Sequence, residues 1–229
     1  MTVPAAWARD AVALPPAPEV VQIEVGLLQN FCELFICPDA REAAVVDPAF
    51  EVDHLLRAAA TRGVRITKIL ITHTHVDHIE GVEEMVAATD AETYVHPNEA
   101  AAVAPLCRKL VPVVDQMDIA IGRRGVRVLE TFGHTAGGVS YLADGYVVTG
   151  DVLFIRGCGR TDFPGGDTAA MWQSLDRLAG LPEEYLVYPG HNYGPTPTAT
   201  LATERAENPF LRCRDLAEFR HLRERVRKA

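Results

Sequence analysis

Nothing in this chain of 229 residues is long and apolar enough to form a membrane-spanning helix. Its opening, MTVPAAWARDAVALPPAPEV, lacks the charged start and apolar core of a secretory signal and reads as a loose, proline-rich leader over about residues 1–18. Cysteine is sparse and unpatterned. The five, Cys32, Cys37, Cys107, Cys158 and Cys213, are odd in number and never spaced as CxxC. That excludes a zinc knuckle or redox pair, and fits a reducing cytoplasm better than a disulfide framework. Positive charge is short as well. With 22 Lys and Arg against 31 Asp and Glu, the net charge of −9 argues against a nucleic-acid surface, so a small anionic ligand would need a local basic cluster. Low-complexity linkers and internal repeats are also missing, which leaves a single domain over 1–229 with a short tail over about 195–229.

What fills the chain is an alternation of short apolar runs and helical patterns. Val20–Val25, Phe31–Cys37 and Ala43–Val46 read as successive strands, two of them close enough to form a hairpin. Asp47-Pro48 introduces a helix whose apolar positions Val52, Leu55, Leu56 and Ala59 follow the helical period, and Gly63 ends it. A buried strand over Ile66–Ile71 comes next, then an amphipathic helix marked by Ile79, Val82, Met85 and Val86. Further strands are expected at Asp118–Ile121, Val126–Thr131, Val139–Leu142, Tyr146–Val148 and Leu186–Tyr188. A helix capped by Asp167 or Thr168 carries Met171, Trp172, Leu175 and Leu178, and the charged tail from Asp215 is helical. Strands with helices outside two sheets, an α/β class, fit this order.

One stretch is dense in chemistry. Thr72-His73-Thr74-His75-Val76-Asp77-His78 sets three histidines and a carboxylate at the end of a strand. Three later strands end on further donors, in Gly133-His134-Thr135, Thr149-Gly150-Asp151 and Pro189-Gly190-His191. A lone histidine is usually a surface or satisfied core residue, and His54, His96 and His221 are expected to be that. Four strand ends that deliver imidazoles and carboxylates to one rim make a metal site, and this donor set suits zinc, iron or manganese, not calcium or magnesium.

THTHVDH, GHTAGGVSY, TGDVLF and YPGHNY, in that order and covering about residues 20–210, together resemble the metallo-β-lactamase superfamily. The resemblance implies an αβ/βα four-layer sandwich, two mixed sheets face to face with helices on the outer faces. It implies His73, His75, Asp77, His78, His134, Asp151 and His191 as possible ligands. In two-metal members His73, His75 and His134 hold one ion, Asp77, His78 and His191 hold the other, and Asp151 bridges them.

Two branches share those motifs. Glyoxalase II enzymes hydrolyse the thioester of S-lactoylglutathione at a binuclear zinc or mixed zinc–iron centre. Persulfide dioxygenases hold one Fe(II) per chain and oxidise glutathione persulfide with O₂ to sulfite and glutathione. The string RGCGRTDF, Arg156–Phe163, resembles the dioxygenase branch, and so does the short tail, because glyoxalase II carries a larger C-terminal helical domain. NPFLR is instead similar to glyoxalase II tails, with Phe210 where the dioxygenase branch often has a basic residue.

On the dioxygenase reading the resemblance makes His73, His134 and Asp151 the iron ligands. His75, Asp77, His78 and His191 support them by fixing tautomers or holding water, which puts Asp77 and His191 among the catalytic groups. Tyr193 would place its hydroxyl over the iron or the substrate sulfur. Arg160, with Arg156, would hold a glutathione carboxylate, although Asp162 is an equally good partner for Arg160. Cys158, set between two glycines, is expected to pack rather than react. A non-catalytic metal-binding module is the remaining class, marked by loss of a ligand, and none is lost. The expected partners are a small thiol derivative and O₂, with a homodimer compatible and neither nucleic acid nor membrane involved.

Overall fold

Two six-stranded sheets form the centre of the fold, which the computed structural model describes over residues 13–228. The first sheet runs in chain order: β1 (Glu19–Val25), β2 (Asn30–Cys37), β3 (Glu42–Val46), β4 (Arg65–Leu70), β5 (Glu92–Val95) and β6 (Leu110–Pro112). β1 to β3 pair antiparallel and β3 to β6 pair parallel. Parallel neighbours need crossovers, supplied here by α1 (Val52–Ala60), by α2 (Val76–Ile79) with α3 (Val82–Thr89), and by α4 (Ala100–Val103).

The second sheet begins as an antiparallel meander of β7 (Asp118–Ile121), β8 (Arg124–Glu130), β9 (Val139–Ala143) and β10 (Tyr146–Gly150). A small hairpin, β11 (Leu153–Phe154) with β12 (Gly157–Cys158), and helix α5 (Thr168–Ala179) follow. β13 (Leu186–Pro189) then adds parallel to β10, and β14 (Ala199–Thr200) closes the edge. Helices α6 (Leu201–Glu207) and α7 (Leu216–Lys228) complete the chain.

The two-residue period of a strand decides which layer each side chain joins. On β2, Cys32, Leu34 and Ile36 pack outward with Leu55 of α1 and Met85 of α3, whereas Phe35 and Cys37 point inward. There they meet Val126, Tyr141 and Val148 of the facing sheet. On the far side, Leu129, Leu142, Val147 and Val187 are covered by Met171, Leu175 and Leu178 of α5 and by Phe219 of α7. The outcome is the αβ/βα sandwich that the resemblance implied.

Several details differ from the expectation. The single helix expected across Ile79–Val86 is two, broken at Gly81. A Cβ there would sit 2.6 Å from the Pro48 carbonyl oxygen, which instead accepts the Gly81 N–H at 2.9 Å. Of the leader, residues 1–12 lie outside the described residues. Residues 13–18 are tied to the second sheet, not loose: Gly125 N–H donates to Pro16 O at 3.0 Å and the Tyr146 hydroxyl to Pro18 O at 3.0 Å. The tail is likewise built in. Phe219 is fully buried against Trp172 and Phe210, ring centroids 5.5 and 5.8 Å away. Phe210 itself is buried beneath α7 with the Arg223 guanidinium over its ring, so this position packs the tail onto the domain. Among the described residues no helix is long and apolar enough to cross a membrane.

Candidate metal centre

The four donor-bearing segments leave the ends of β4, β8, β10 and β13, and all reach one rim of the sandwich. β10 and β13 are adjacent and parallel, so Asp151 and His191 emerge side by side, with Gly190 N–H donating to Gly150 O at 2.9 Å. The histidine motif is anchored from the end of β3. Asp47 accepts Thr72 N–H at 2.7 Å through one oxygen, and the Thr72 hydroxyl through the other.

Hydrogen bonds at the far ring nitrogens fix which nitrogen faces the site. His134 Nδ1 donates to Arg160 O at 2.7 Å, and His191 Nδ1 donates to Leu28 O at 3.0 Å, because a carbonyl can only accept. His78 Nδ1 donates to Asp47 at 3.0 Å. Each of these rings therefore turns Nε2 inward, with a lone pair there when the ring is neutral. The inward nitrogens lie close together: His78 Nε2 and His191 Nε2 are 3.2 Å apart, and His134 Nε2 and His75 Nδ1 are 2.9 Å apart. Asp151 lies between the two groups, Oδ2 at 3.5 Å from His134 and 3.4 Å from His191, Oδ1 at 3.3 Å from His78.

Each close pair needs either a ring proton or a cation between its nitrogens, and the spacing fits a metal ion. Two donors at about 2.1 Å from one ion are about 3–3.5 Å apart, close to the separations observed. His73 Nε2 and Asp151 Oδ1 are buried with no well-directed hydrogen bond, the kind of unmet demand a cation satisfies. Among the described residues three groups of three donors have their ligand atoms within 4.8 Å of one another: His73–His75–His134, Asp77–His78–His191, and Asp47–His73–His78, whose Asp47 is already engaged by Thr72 and His78.

The electrostatics agree. Burial pushes His73, His75 and His134 below the ordinary imidazole range, which favours the neutral, metal-binding form. Burial acts on His78 in the same direction, but the Asp151 and Asp47 carboxylates outweigh it and hold this ring well above its ordinary range. Asp151 is held well below the usual carboxylate range against its burial, chiefly by His78 and His191. The field that favours a proton on His78 favours a metal cation equally.

Other residues singled out from the sequence are placed as follows. Tyr193 stacks on the His191 ring at 4.5 Å and 8° and stays half exposed at the mouth. Burial, then Asp151 and Asp77, push its phenol up, so it stays protonated. The Arg160 guanidinium makes a two-pronged pair with Asp162 at 2.9 and 2.8 Å and lies 4.1 Å over the Phe163 ring. Arg156 pairs with Glu207. Both cations offered for a substrate carboxylate are thus met by acids of this chain. Cys158 is buried, and its thiol is pushed up to about 12 by burial, which removes it as a nucleophile. His96 is a buried neighbour of Glu130 and Phe132, apart from the donors.

The sequence reading missed three supporting residues. Asp47 was visible only as a helix introducer, yet its carboxylate orients His78 and the whole motif. Asn30, fully buried, donates to Asp77 Oδ2 at 3.1 Å. Glu99 accepts from Gly137 N–H at 3.0 Å and from the Thr74 hydroxyl, clamping the two ligand loops together. These are single polar residues with no local pattern, and only tertiary structure brings them to the site.

Comparison with known proteins gives this geometry its setting. The chain is 30% identical over 210 residues to a probable polyketide biosynthesis zinc-dependent hydrolase, BaeB, of Bacillus velezensis, covering 90% of this chain and 93% of that protein. It is 36% identical to a hydroxyacylglutathione hydrolase of Alkalilimnicola ehrlichii, covering 85% and 86%. Among solved structures, ETHE1 from Myxococcus xanthus superposes with a TM-score of 0.84 at 33% identity, covering 91% of each chain. Residues 34–191, which hold every one of the seven donors, match the family model, and the chain belongs to the metallo-beta-lactamase superfamily.

Proposed function

We propose that this protein is an iron-dependent persulfide dioxygenase of a reducing, cytoplasmic compartment, with glutathione persulfide the first substrate to test. One persulfide, O₂ and one water would yield one thiol and one sulfurous acid, which ionises to sulfite. The observation that supports this reading is the position of Arg156–Phe163, the string resembling the dioxygenase branch. It walls the first donor group and not the second: Arg160 O holds His134, and the Phe163 ring stands edge-on to His75 at 5.4 Å. Here His73, His134 and Asp151 would hold one ion. Fe(II) held there would supply the redox route from sulfur to oxygen. The Thr72 hydroxyl and the Arg160 carbonyl keep the His73 and His134 rings in ligand orientation. Asp77, His78 and His191 would be the supporting groups, with His78 and His191 at 3.7 and 3.4 Å from the Asp77 carboxylate and Tyr193 stacked over His191.

The completeness of Asp77–His78–His191 favours a second reading, a binuclear hydrolase of glutathione thioesters. A paired measurement separates them: metal content per chain, then O₂ uptake with glutathione persulfide beside lactoylglutathione hydrolysis. Two zinc ions with thioester turnover and no O₂ uptake would sink the dioxygenase reading. In the one-iron case His75→Ala keeps its iron, and loss of half the metal from that variant argues for two ions.

A further inference from the structure

Exposed apolar side chains gather around the metal centre. Of the seven large hydrophobic residues exposed among the described residues, Phe163 and Tyr193 pack on donor rings, Leu28 holds His191 through its carbonyl with Leu27 preceding it, and Val76 stands between two donors in sequence. Leu27 and Leu28 tip the turn between β1 and β2, with Leu27 102% and Leu28 51% exposed. The Leu28 backbone is fixed at the site, because its carbonyl accepts from His191 at 3.0 Å. Val76, 70% exposed, stands between His75 and Asp77. Phe163 packs edge-on to His75, and Tyr193 stacks on His191. A scattered exposed leucine means nothing, but exposed apolar residues carried by four segments that each bear, hold or pack on a donor are placed to wall a ligand site.

The polar half of the argument points the same way. Glutathione carries two carboxylates and an ammonium, and a site for it needs cations that are free to pair. Arg160 is engaged by Asp162 through both prongs and flattened on Phe163, and Arg156 is engaged by Glu207. A substrate carboxylate would have to displace an internal acid from either one, under a net charge of −9.

We infer that the site is built for thiol derivatives with an apolar body, an alkyl or aryl thiol in place of a charged peptide, and that Leu27, Leu28 and Phe163 select for it. The inference rests on the thiol reading above only for the reacting end, and it holds for a persulfide or a thioester alike.

The test compares phenylmethanethiol with glutathione, which offer the metal the same sulfhydryl on different bodies. Titration calorimetry on the metal-loaded protein is expected to show phenylmethanethiol binding about ten-fold more tightly. The double variant L27S/L28S, at side chains exposed enough to leave folding intact, is expected to lose about ten-fold of that affinity and less than about two-fold of the affinity for glutathione. In turnover the same preference appears in KM more than kcat, for benzyl against glutathione persulfide by O₂ uptake and for the matching thioesters by hydrolysis. Hydrolysis that favours the benzyl thioester, with no O₂ uptake from either persulfide, would remove the dioxygenase reading and keep this one. Glutathione binding as tightly as the aryl thiol, or a ratio unmoved in L27S/L28S, overturns it.

Discussion

The two glycines that flank Cys158 make opposite predictions, although sequence alone treats them alike. A Cβ at position 159 would lie 1.7 Å from the carbonyl oxygen of Asp151 and 3.0 Å from His134 Nδ1. Since real contacts stop near 3 Å, Gly159→Ala must push the loop and the Asp151 backbone apart by more than about 1 Å, and nothing flexible is there to yield. A Cβ at position 157 would first meet Phe154 Cβ at 3.5 Å, an ordinary contact. Overpacking of the first kind costs about 1–3 kcal/mol, or about 2–12 °C in Tm at about 2–4 °C per kcal/mol for a chain of this size. Because the displaced groups are a ligand and the residue fixing a ligand, metal affinity in Gly159→Ala should also fall about 10–100-fold. Gly157→Ala should stay within about 0.5 kcal/mol of the parent and keep its metal. Thermal unfolding with and without chelator, and competition for the ion by a chromophoric chelator, read both quantities. Wild-type metal retention in Gly159→Ala, or equal damage from the two substitutions, would refute the packing argument.

Three further outcomes follow from other parts of the structure. Asp47→Asn keeps the side-chain shape but withdraws the charge that orients His78, so chelator competition should show metal affinity lower by about 10–100-fold with the fold intact by circular dichroism. Glu33, buried on β2, is raised well above its ordinary value of 4.5, first by burial and then by Asp47, with Gln22 and His78 opposing. The native state thus keeps a proton that the unfolded chain releases, so stability falls as pH climbs above about 4.5. Glu33→Gln should therefore raise Tm more at about pH 8 than at about pH 5, and an equal gain at both contradicts the assignment. Cys158, with its thiol held near 12 by burial against Arg223, should resist iodoacetamide in the native protein, and labelling of Cys158 within minutes, read by mass spectrometry, would refute its burial.

How much of the fold could be read ahead depended on periodicity. β2, β3 and β4 are buried on both faces or end in a motif, and their runs of Val, Ile, Leu and Phe stood out. β5, β6, α4, β11 and β12 did not, because two to four residues cannot establish a period by themselves; β7 and β13, equally short, were legible beside Gly122 and the Pro189-Gly190-His191 motif. The break at Gly81 was invisible for another reason. Its cause is the Pro48 carbonyl, a contact from outside the segment, and local propensity carries no record of such a neighbour.

The donors were legible because a metal site concentrates rare residue types at strand ends, so His73, His75, Asp77 and His78 announced themselves within one turn of chain. What determines their chemistry is spread thinly. Asp47, Asn30, Glu99 and the Arg160 carbonyl each make one to three hydrogen bonds to the ligand loops from distant parts of the sequence. The two donor groups are nearly symmetric about Asp151, so ligand identity alone cannot choose one ion or two. Their surroundings are not symmetric. The first group is walled by Phe163 and the string Arg156–Phe163, while the second lies under Leu28 and Tyr193. On the proposed reading the reaction type follows from the two walls, and exchanging one wall residue at a time, with the seven donors untouched, tests it: a variant that gains thioester turnover as it loses O₂ uptake supports the assignment, and wall exchanges that leave both unchanged refute it.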